Sequence, residues 1–193
     1  MRSFILPFAF APAMLLAQGH PDPASVPAPI EKLIKWTSIE DAQKAAKVDG
    51  HPLFVDMSTP WCGWCRKLES TTFADKQTAD YINAHYHPVS FNAEGPDPVM
   101  FNGKKYENPQ YAGQGGRHGT HQLTMEIAAP NGRLAYPTIV YIDSEGKVIA
   151  PVQAYMGPED IEPVLIYIAE GFYKTQPDFQ SYKTAFKSRR VPQ

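Results

Sequence analysis

Two neighbouring segments determine how the rest of the chain is interpreted, Leu53-Phe54-Val55-Asp56-Met57 and Trp61-Cys62-Gly63-Trp64-Cys65. The first is a short apolar run that predicts a buried strand, in which Asp56 is an anomaly. The second predicts a helix that starts at Cys62 and runs to about residue 68. A strand therefore leads into a helix whose first residues include the only two cysteines of the chain.

A cysteine at the start of a helix has an environment that favours its thiolate. The first turn offers unpaired N–H groups and a partial positive charge. The pKa of a thiol placed there can fall to about 3.5–7.5. Cys65 follows one helical turn after Cys62. We therefore expect Cys62 to attack a substrate disulfide and Cys65 to resolve the mixed disulfide.

Other uses of this cysteine pair fit the sequence less well. A structural disulfide across two intervening residues would constrain the unfolded chain very little. A zinc site needs four ligands, and we interpret His118 and His121, like His85 and His87, as surface or hydrogen-bonding histidines. Covalent haem attachment needs a histidine directly after the second cysteine, where this chain has Arg66. We therefore expect no metal and favour redox exchange.

The remaining pattern predicts strands that alternate with helices. Hydrophobic spacing, caps and turn residues indicate helices at 38–48, 62–68, 75–85, 120–128, 158–170 and 177–187, and strands at 52–57, 88–92, 138–143 and 147–149. Residues 93–135, rich in glycine, asparagine and proline, are predicted to form an insertion. The order implies an α/β fold with a mixed central sheet flanked by helices on both faces.

Composition is ordinary for a globular domain and excludes several function classes. The chain has 193 residues, 43% hydrophobic and 20% charged, which suits one domain with extensions. The net charge is −2, without a basic block, so we expect no nucleic-acid partner. Neither a Gly-x-Gly-x-x-Gly nor a P-loop motif occurs, so we expect no cofactor.

The N-terminus has the features of a targeting signal. Arg2 precedes the apolar run from Ile5 to Ala17, which is too short to span a bilayer. We interpret residues 1–19 as a signal peptide and the proline-rich residues 20–35 as a linker. The alternatives are a membrane anchor or a buried helix. A signal peptide would place the protein in the bacterial periplasm or outside the cell.

The chain resembles the thioredoxin superfamily over residues 36–172, and especially the secreted bacterial thioredoxin-like proteins with a W-C-G-W-C motif. Four features match in order, namely the strand 53–56, the segment 61–67, the Tyr136-Pro137-Thr138 signature, and the terminal hairpin around Gly146 with Gly157 after it. The resemblance implies a thioredoxin-like fold with an insertion at about 93–135, before the cis-proline loop, and an extra C-terminal helix within residues 173–193.

The resemblance also implies roles for individual residues. Cys62 and Cys65 would be the redox pair, and Asp56 would be a buried acid that relays a proton from Cys65. Pro137 would be cis and would face the two sulfurs. The remaining expected site residues would contact substrate: Trp61, Gly63, Trp64 and Tyr136.

The chain departs from the usual thioredoxin pattern at several points. Gly63-Trp64 replaces a dipeptide that usually contains proline, which leaves the redox potential open. Ser90 stands where many thioredoxins have a lysine near the buried acid. The insertion is expected to border the active site and to restrict or select partners.

The leading functional prediction is a thiol–disulfide oxidoreductase, with the direction of electron flow unresolved. Its partners would be exported client proteins with thiols or disulfides and a membrane redox protein, and we expect a monomer. One alternative is a binding module that holds a peptide or a soft metal such as Cu(I), with redox chemistry incidental. A weaker alternative is a structural protein with a Cys62–Cys65 bridge.

Overall fold

The computed structural model describes residues 32–113 and 119–191. The predicted signal peptide at 1–19 and most of the predicted linker at 20–35 lie outside the described residues. Within the described ranges, no helix is both long and apolar enough to cross a membrane.

The elements follow the predicted alternation of helices and strands. In chain order they are α1 (Ile39–Asp49), β1 (Leu53–Ser58), α2 (Gly63–Thr71), α3 (Lys76–His85), β2 (His87–Asn92), β3 (Val99–Phe101), β4 (Lys104–Tyr106), α4 (Gln122–Ala128), β5 (Thr138–Ile142), β6 (Val148–Gln153), α5 (Pro158–Ala169), α6 (Phe172–Thr175) and α7 (Phe179–Ala185).

The central sheet has the strand order β2-β1-β5-β6. Strands β1 and β2 are parallel, whereas β1–β5 and β5–β6 are antiparallel. The predicted mixed sheet is therefore confirmed. Because β1 and β5 are antiparallel, the end of β1 and the start of β5 lie at the same end of the sheet, which brings the loops around Cys62 and Pro137 together.

Helices cover both faces of the sheet and bury two apolar clusters. One cluster holds Leu53 and Val55 of β1 with residues of α1 and α4 and with Phe101 and Tyr106 of the β3–β4 hairpin. The other holds Phe54 of β1 with residues of α2, α3 and α5. This follows from the two-residue period of a strand, since successive side chains of β1 point to opposite faces.

Local signals explain where α1 begins and ends. The Ser38 hydroxyl accepts a hydrogen bond from the backbone N–H of Asp41 at 3.1 Å, which caps the first turn. Gly50 ends the helix with φ +81°, a conformation that glycine adopts without a Cβ clash. The sequence predicted both features.

The segment 93–135 contains a β-hairpin that we did not predict. Strands β3 and β4 pair across Asn102 and Gly103, both with positive φ, and the hairpin lies against α1. The Gln43 side chain donates to the carbonyl of Met100 and accepts from the N–H of Asn102, both at 2.9 Å. The predicted helix at 120–128 is present as α4.

The C-terminal segment forms two short helices, of which α7 lies within the predicted helix 177–187, whereas α6 was not predicted. The residues after α7 bind back onto the domain. The Arg190 guanidinium pairs with the Asp75 carboxylate at 2.7 Å, and the backbone N–H of Arg189 donates to Glu162 at 2.7 Å. The extension is therefore fastened to α3 and α5 by polar contacts.

Candidate active site

The two cysteines form a disulfide at the start of α2. The sulfurs of Cys62 and Cys65 are bonded to each other, so the structure represents the oxidised protein. Cys62 is the N-cap of the helix, and its Sγ accepts a hydrogen bond from the backbone N–H of Cys65 at 3.0 Å. The same N–H would stabilise a Cys62 thiolate after reduction, because the first turn of a helix favours negative charge.

Exposed aromatic side chains lie next to the cysteines of the disulfide, and the cysteines themselves are nearly inaccessible to solvent. Cys62 and Cys65 are 4% and 7% exposed, whereas Trp61 and Trp64 are 61% and 62% exposed. Gly63, between them, is also exposed. The two indoles are therefore exposed on the surface, whereas the two cysteines beside them in the sequence are nearly buried.

Each tryptophan contacts a tyrosine from another loop. Trp61 packs edge-to-face on Tyr136 with ring centroids 5.6 Å apart, and Trp64 packs on Tyr155 at 5.5 Å. The Trp61 indole N–H also donates to the Glu94 carboxylate at 2.8 Å. We call Trp61, Trp64, Tyr136 and Tyr155 the aromatic rim.

The Tyr136–Pro137 peptide bond is cis, in agreement with the expectation from the resemblance. Pro137 is buried directly before β5, and Thr138 pairs with Met57 of β1. The contact of Tyr136 with Trp61 joins this loop to the residue preceding Cys62. The structure thus places the residue before Pro137 against the residue before Cys62, and the expected contact of Pro137 with the two sulfurs stays a prediction.

A cavity of about 330 Å³ lies between β1, β2 and α2, and Cys65 and Asp56 both line it. Asp56 is 8% exposed, and within the described residues its Oδ1 has no hydrogen-bond partner. Burial raises the pKa of Asp56 to about 7, the nearby Glu69 carboxylate adds to the rise, and a hydrogen bond with Ser58 opposes it. This carboxyl can therefore gain or lose a proton near neutral pH, beside Cys65.

Comparison with known proteins identifies the family. A model of the thioredoxin-like domain matches residues 39–169, more than half of the chain. The chain belongs to the thioredoxin-like domain family. The predicted superfamily and fold class are thereby confirmed.

One curated relative of this thioredoxin-like protein is the disulfide bond reductase DsbH of Chlamydia pneumoniae. It is 24% identical over 118 residues, which are 61% of this chain and 61% of the relative. The match therefore spans only about three fifths of the relative's length.

Two solved structures share the thioredoxin-like fold. A thioredoxin-fold protein from Helicobacter pylori has a TM-score of 0.52 and 18% identity, over 81% of this chain and 89% of that one. A thioredoxin from Thermus thermophilus also has a TM-score of 0.52, with 13% identity, over 74% and 93% of the two chains. At these identities, the likeness concerns the fold alone.

Sequence reasoning missed several residues of the thioredoxin-like site. Glu69 and Lys32 form an ion pair at 3.0 Å and both line the cavity that holds Asp56. Glu69 could have been found, because it lies one helical turn after Cys65 on the same face. Glu94 and Tyr155 gave no such signal, since only the folded chain brings them to the tryptophans.

Ser90 lines the same cavity and stands opposite Asp56 in the β1–β2 register. A serine there supplies no positive charge to the buried carboxyl. Lys32 also lines this cavity, but its ammonium group pairs with the carboxylate of Glu69. The raised pKa of Asp56 comes from burial first and from the Glu69 carboxylate second.

The sequence analysis considered His118 and His121 as a possible pair of zinc ligands. His121 is 1% exposed and caps α4, because its Nδ1 accepts the backbone N–H of Leu123 at 3.1 Å. Burial lowers the pKa of His121. The other, His118, lies outside the described residues.

Proposed function

We propose that this protein is a thiol–disulfide oxidoreductase that exchanges the Cys62–Cys65 disulfide with thiols or disulfides of exported client proteins. The observation that carries the proposal is the disulfide at the N-cap of α2, with Cys65 and the buried Asp56 lining one cavity. Family membership and the relation to a disulfide bond reductase support it.

In the reductive direction, two electrons pass from the protein to the client. The Cys62 thiolate attacks one sulfur of the client disulfide, forms a mixed disulfide and releases a client thiolate. The Asp56 carboxylate accepts the proton of the Cys65 thiol. The resulting Cys65 thiolate attacks Sγ of Cys62, restores the internal disulfide and releases the second client sulfur. Oxidation of a client dithiol runs through the same steps in reverse.

The aromatic rim and Pro137 are proposed to receive the client. The exposed indoles of Trp61 and Trp64 offer apolar area, and exposed Gly63 leaves room for a client backbone. Pro137 has no backbone N–H, so it offers no donor that would compete for hydrogen bonds with a client segment pairing beside it. Because both cysteines are nearly buried in the oxidised form, we expect the side chains around them to move when a client reaches Sγ of Cys62.

The reductive direction is favoured by the name of the chlamydial relative. Electrons would then come from a membrane redox protein, and the signal peptide at 1–19 would deliver a monomer to the periplasm or the exterior. The potential of the Cys62/Cys65 couple decides the direction. We expect a value closer to that of thioredoxin, about −270 mV, than to that of DsbA, about −120 mV.

A client-trapping experiment tests the proposal. The reduced protein should accelerate insulin reduction by dithiothreitol, and Cys62→Ser should lower the rate to the uncatalysed level. Cys65→Ser should retain attack but accumulate a mixed disulfide, which a non-reducing gel detects. Each variant lacks one of the two cysteine sulfurs and keeps the other, so each is the matched control of the other.

A redox-inactive binding module would give a different result. Its reduced cysteines would resist iodoacetamide near neutral pH, and neither variant would trap a client. Two results with the wild-type protein would each contradict the proposed enzyme. One is slow alkylation of the reduced cysteines, and the other is insulin reduction no faster than with dithiothreitol alone.

A further inference from the structure

Three potential metal ligands meet at the end of the sheet opposite the disulfide. Asp49 ends α1, His51 precedes β1, and His87 begins β2. Their donor atoms all lie within 4.8 Å of one another. The parallel register places Leu53 of β1 beside His87, and the backbone N–H of His87 donates to the carbonyl of Pro52 at 3.0 Å. The fold therefore fixes the backbone positions of all three residues.

Hydrogen bonds already orient the Asp49 carboxylate. Its Oδ1 lies 2.9 Å from Nε2 of His87 and accepts the backbone N–H of His51 at 3.0 Å. Its Oδ2 lies 3.8 Å from Nδ1 of His51. Gly50 allows this tight turn with φ +81°. The carboxylate therefore faces one ring nitrogen from each histidine.

We propose that Asp49, His51 and His87 form a binding site for a divalent transition-metal ion such as zinc. Two imidazoles and one carboxylate, with a water in the fourth position, are a common zinc ligand set. Zinc bonds of about 2.0–2.2 Å require neighbouring donor atoms about 3.4 Å apart in a tetrahedron. Asp49 Oδ1 lies 2.9 Å from His87 Nε2, and Asp49 Oδ2 lies 3.8 Å from His51 Nδ1. All three donor atoms lie within 4.8 Å of one another, so the side chains must rotate to bring them to zinc-binding distances.

The site is open to an ion from solvent. The side chains of His51 and Asp49 are 46% and 43% exposed, and that of His87 is 18% exposed. The ligand atoms must be free of protons to bind the metal, so binding competes with protons and weakens in acid. The metal would join the end of α1 to the starts of β1 and β2.

The proposed site is separate from the disulfide and does not depend on the proposed function. Strand β1 has six residues and lies between the two, which separates them by about 20 Å at about 3.3 Å per residue. The sequence alone suggested no such site, because residues 49, 51 and 87 meet only through the parallel pairing of β1 with β2.

Zinc titration of the oxidised full-length protein tests the proposal. With the cysteines joined in the disulfide, thiolates do not compete for the ion. Calorimetry should show one zinc ion per chain, and His51→Gln and His87→Gln should each weaken binding at least about tenfold, since loss of outer-shell partners alone costs about 10–100-fold. Zinc should also raise the melting temperature of the wild type by about 5–10 °C at a hundredfold excess over Kd.

Matched variants separate metal binding from a general loss of structure. Asp49→Asn should weaken zinc binding, whereas Asp178→Asn should not, although Asp178 likewise accepts a backbone N–H, from Gln180 at 3.0 Å. Circular dichroism verifies that each variant is folded. The site is disproved if the wild type binds less than half an equivalent of zinc, or if neither histidine variant changes the affinity more than twofold.

Discussion

Asp49 and Asp56 lie near opposite ends of strand β1, and their carboxyl groups have opposite pKa shifts. Asp56 is buried beside Cys65, and burial raises its pKa to about 7. Asp49 is partly exposed, and a hydrogen bond with His87 lowers its pKa. The same residue type near the two ends of one strand is thus suited to the two different roles that we propose. Burial favours a carboxyl that carries a proton, and exposure beside histidines favours a charged carboxylate.

The largest expected effect comes from Asp56→Asn. An amide cannot accept the Cys65 proton, so resolution of the mixed disulfide should slow by about 10²-fold. The pH dependence of that step in the wild type should have a midpoint near 7, which the variant should lack. Stopped-flow reduction of a mixed-disulfide client over pH 5–9 measures both. An unchanged midpoint in the variant would assign the titration to another group.

The same substitution should change how stability depends on pH. The folded-state pKa of Asp56 is raised from 3.8 to about 7, so its contribution is fully present below pH 4 and is lost as pH rises to 7. Compared with Asp56→Asn, the wild type should lose about 4 kcal/mol of unfolding free energy between pH 4 and pH 8. Denaturant titration of both oxidised proteins at the two pH values measures this difference. Parallel pH profiles would show that Asp56 is not desolvated.

A smaller effect on the resolution step is expected from substitution of Glu69, because its carboxylate contributes to the rise in the pKa of Asp56. Glu69→Gln should move the midpoint of the resolution step to lower pH, with a rate change of about two- to fivefold near pH 7. Lys32→Gln removes the cation that pairs with Glu69 at 3.0 Å, so it should move the midpoint the other way. Shifts in the same direction for both variants would exclude an electrostatic cause.

The smallest effect is expected from Asp49→Asn in metal-free protein. The folded-state pKa of Asp49 is lowered, so its contribution to stability is present above its ordinary pKa of 3.8 and is lost as pH falls through the folded value. Because the pair with His87 is partly exposed, the loss should stay below about 1 kcal/mol at pH 6. Denaturant unfolding at pH 6 and pH 3 measures it. A loss of the same size at both pH values would contradict an ionic origin.

The sequence predicted the elements whose signals are local. The apolar runs of β1 and β5 and the Ser38 and Gly50 caps of α1 each depend on neighbouring residues, and these elements were placed within one or two residues. The β3–β4 hairpin was missed although Asn102-Gly103 is a recognised hairpin turn. Its two strands have only three residues each, too few to show an alternating pattern.

The candidate site was predictable only in part. The resemblance indicated Cys62, Cys65, Asp56 and Pro137, but their roles remain predictions for the experiments above. The contact of Glu94 with Trp61 joins the segment 93–135 to the aromatic rim, and no local pattern could reveal that contact. The ion pair of Lys32 with Glu69 likewise joins distant parts of the chain.

The pairing of β1 with β5 also governs when the redox site can exist during synthesis. Leu53 pairs with Ile142, so this part of the sheet closes a long stretch of chain. Closing long loops is slow compared with forming a helix. Before the chain beyond β5 has been made, β1 lacks its β5 partner, and the loop of Pro137 cannot lie near the segment of Cys62. The complete site therefore forms only after most of the domain has been synthesised.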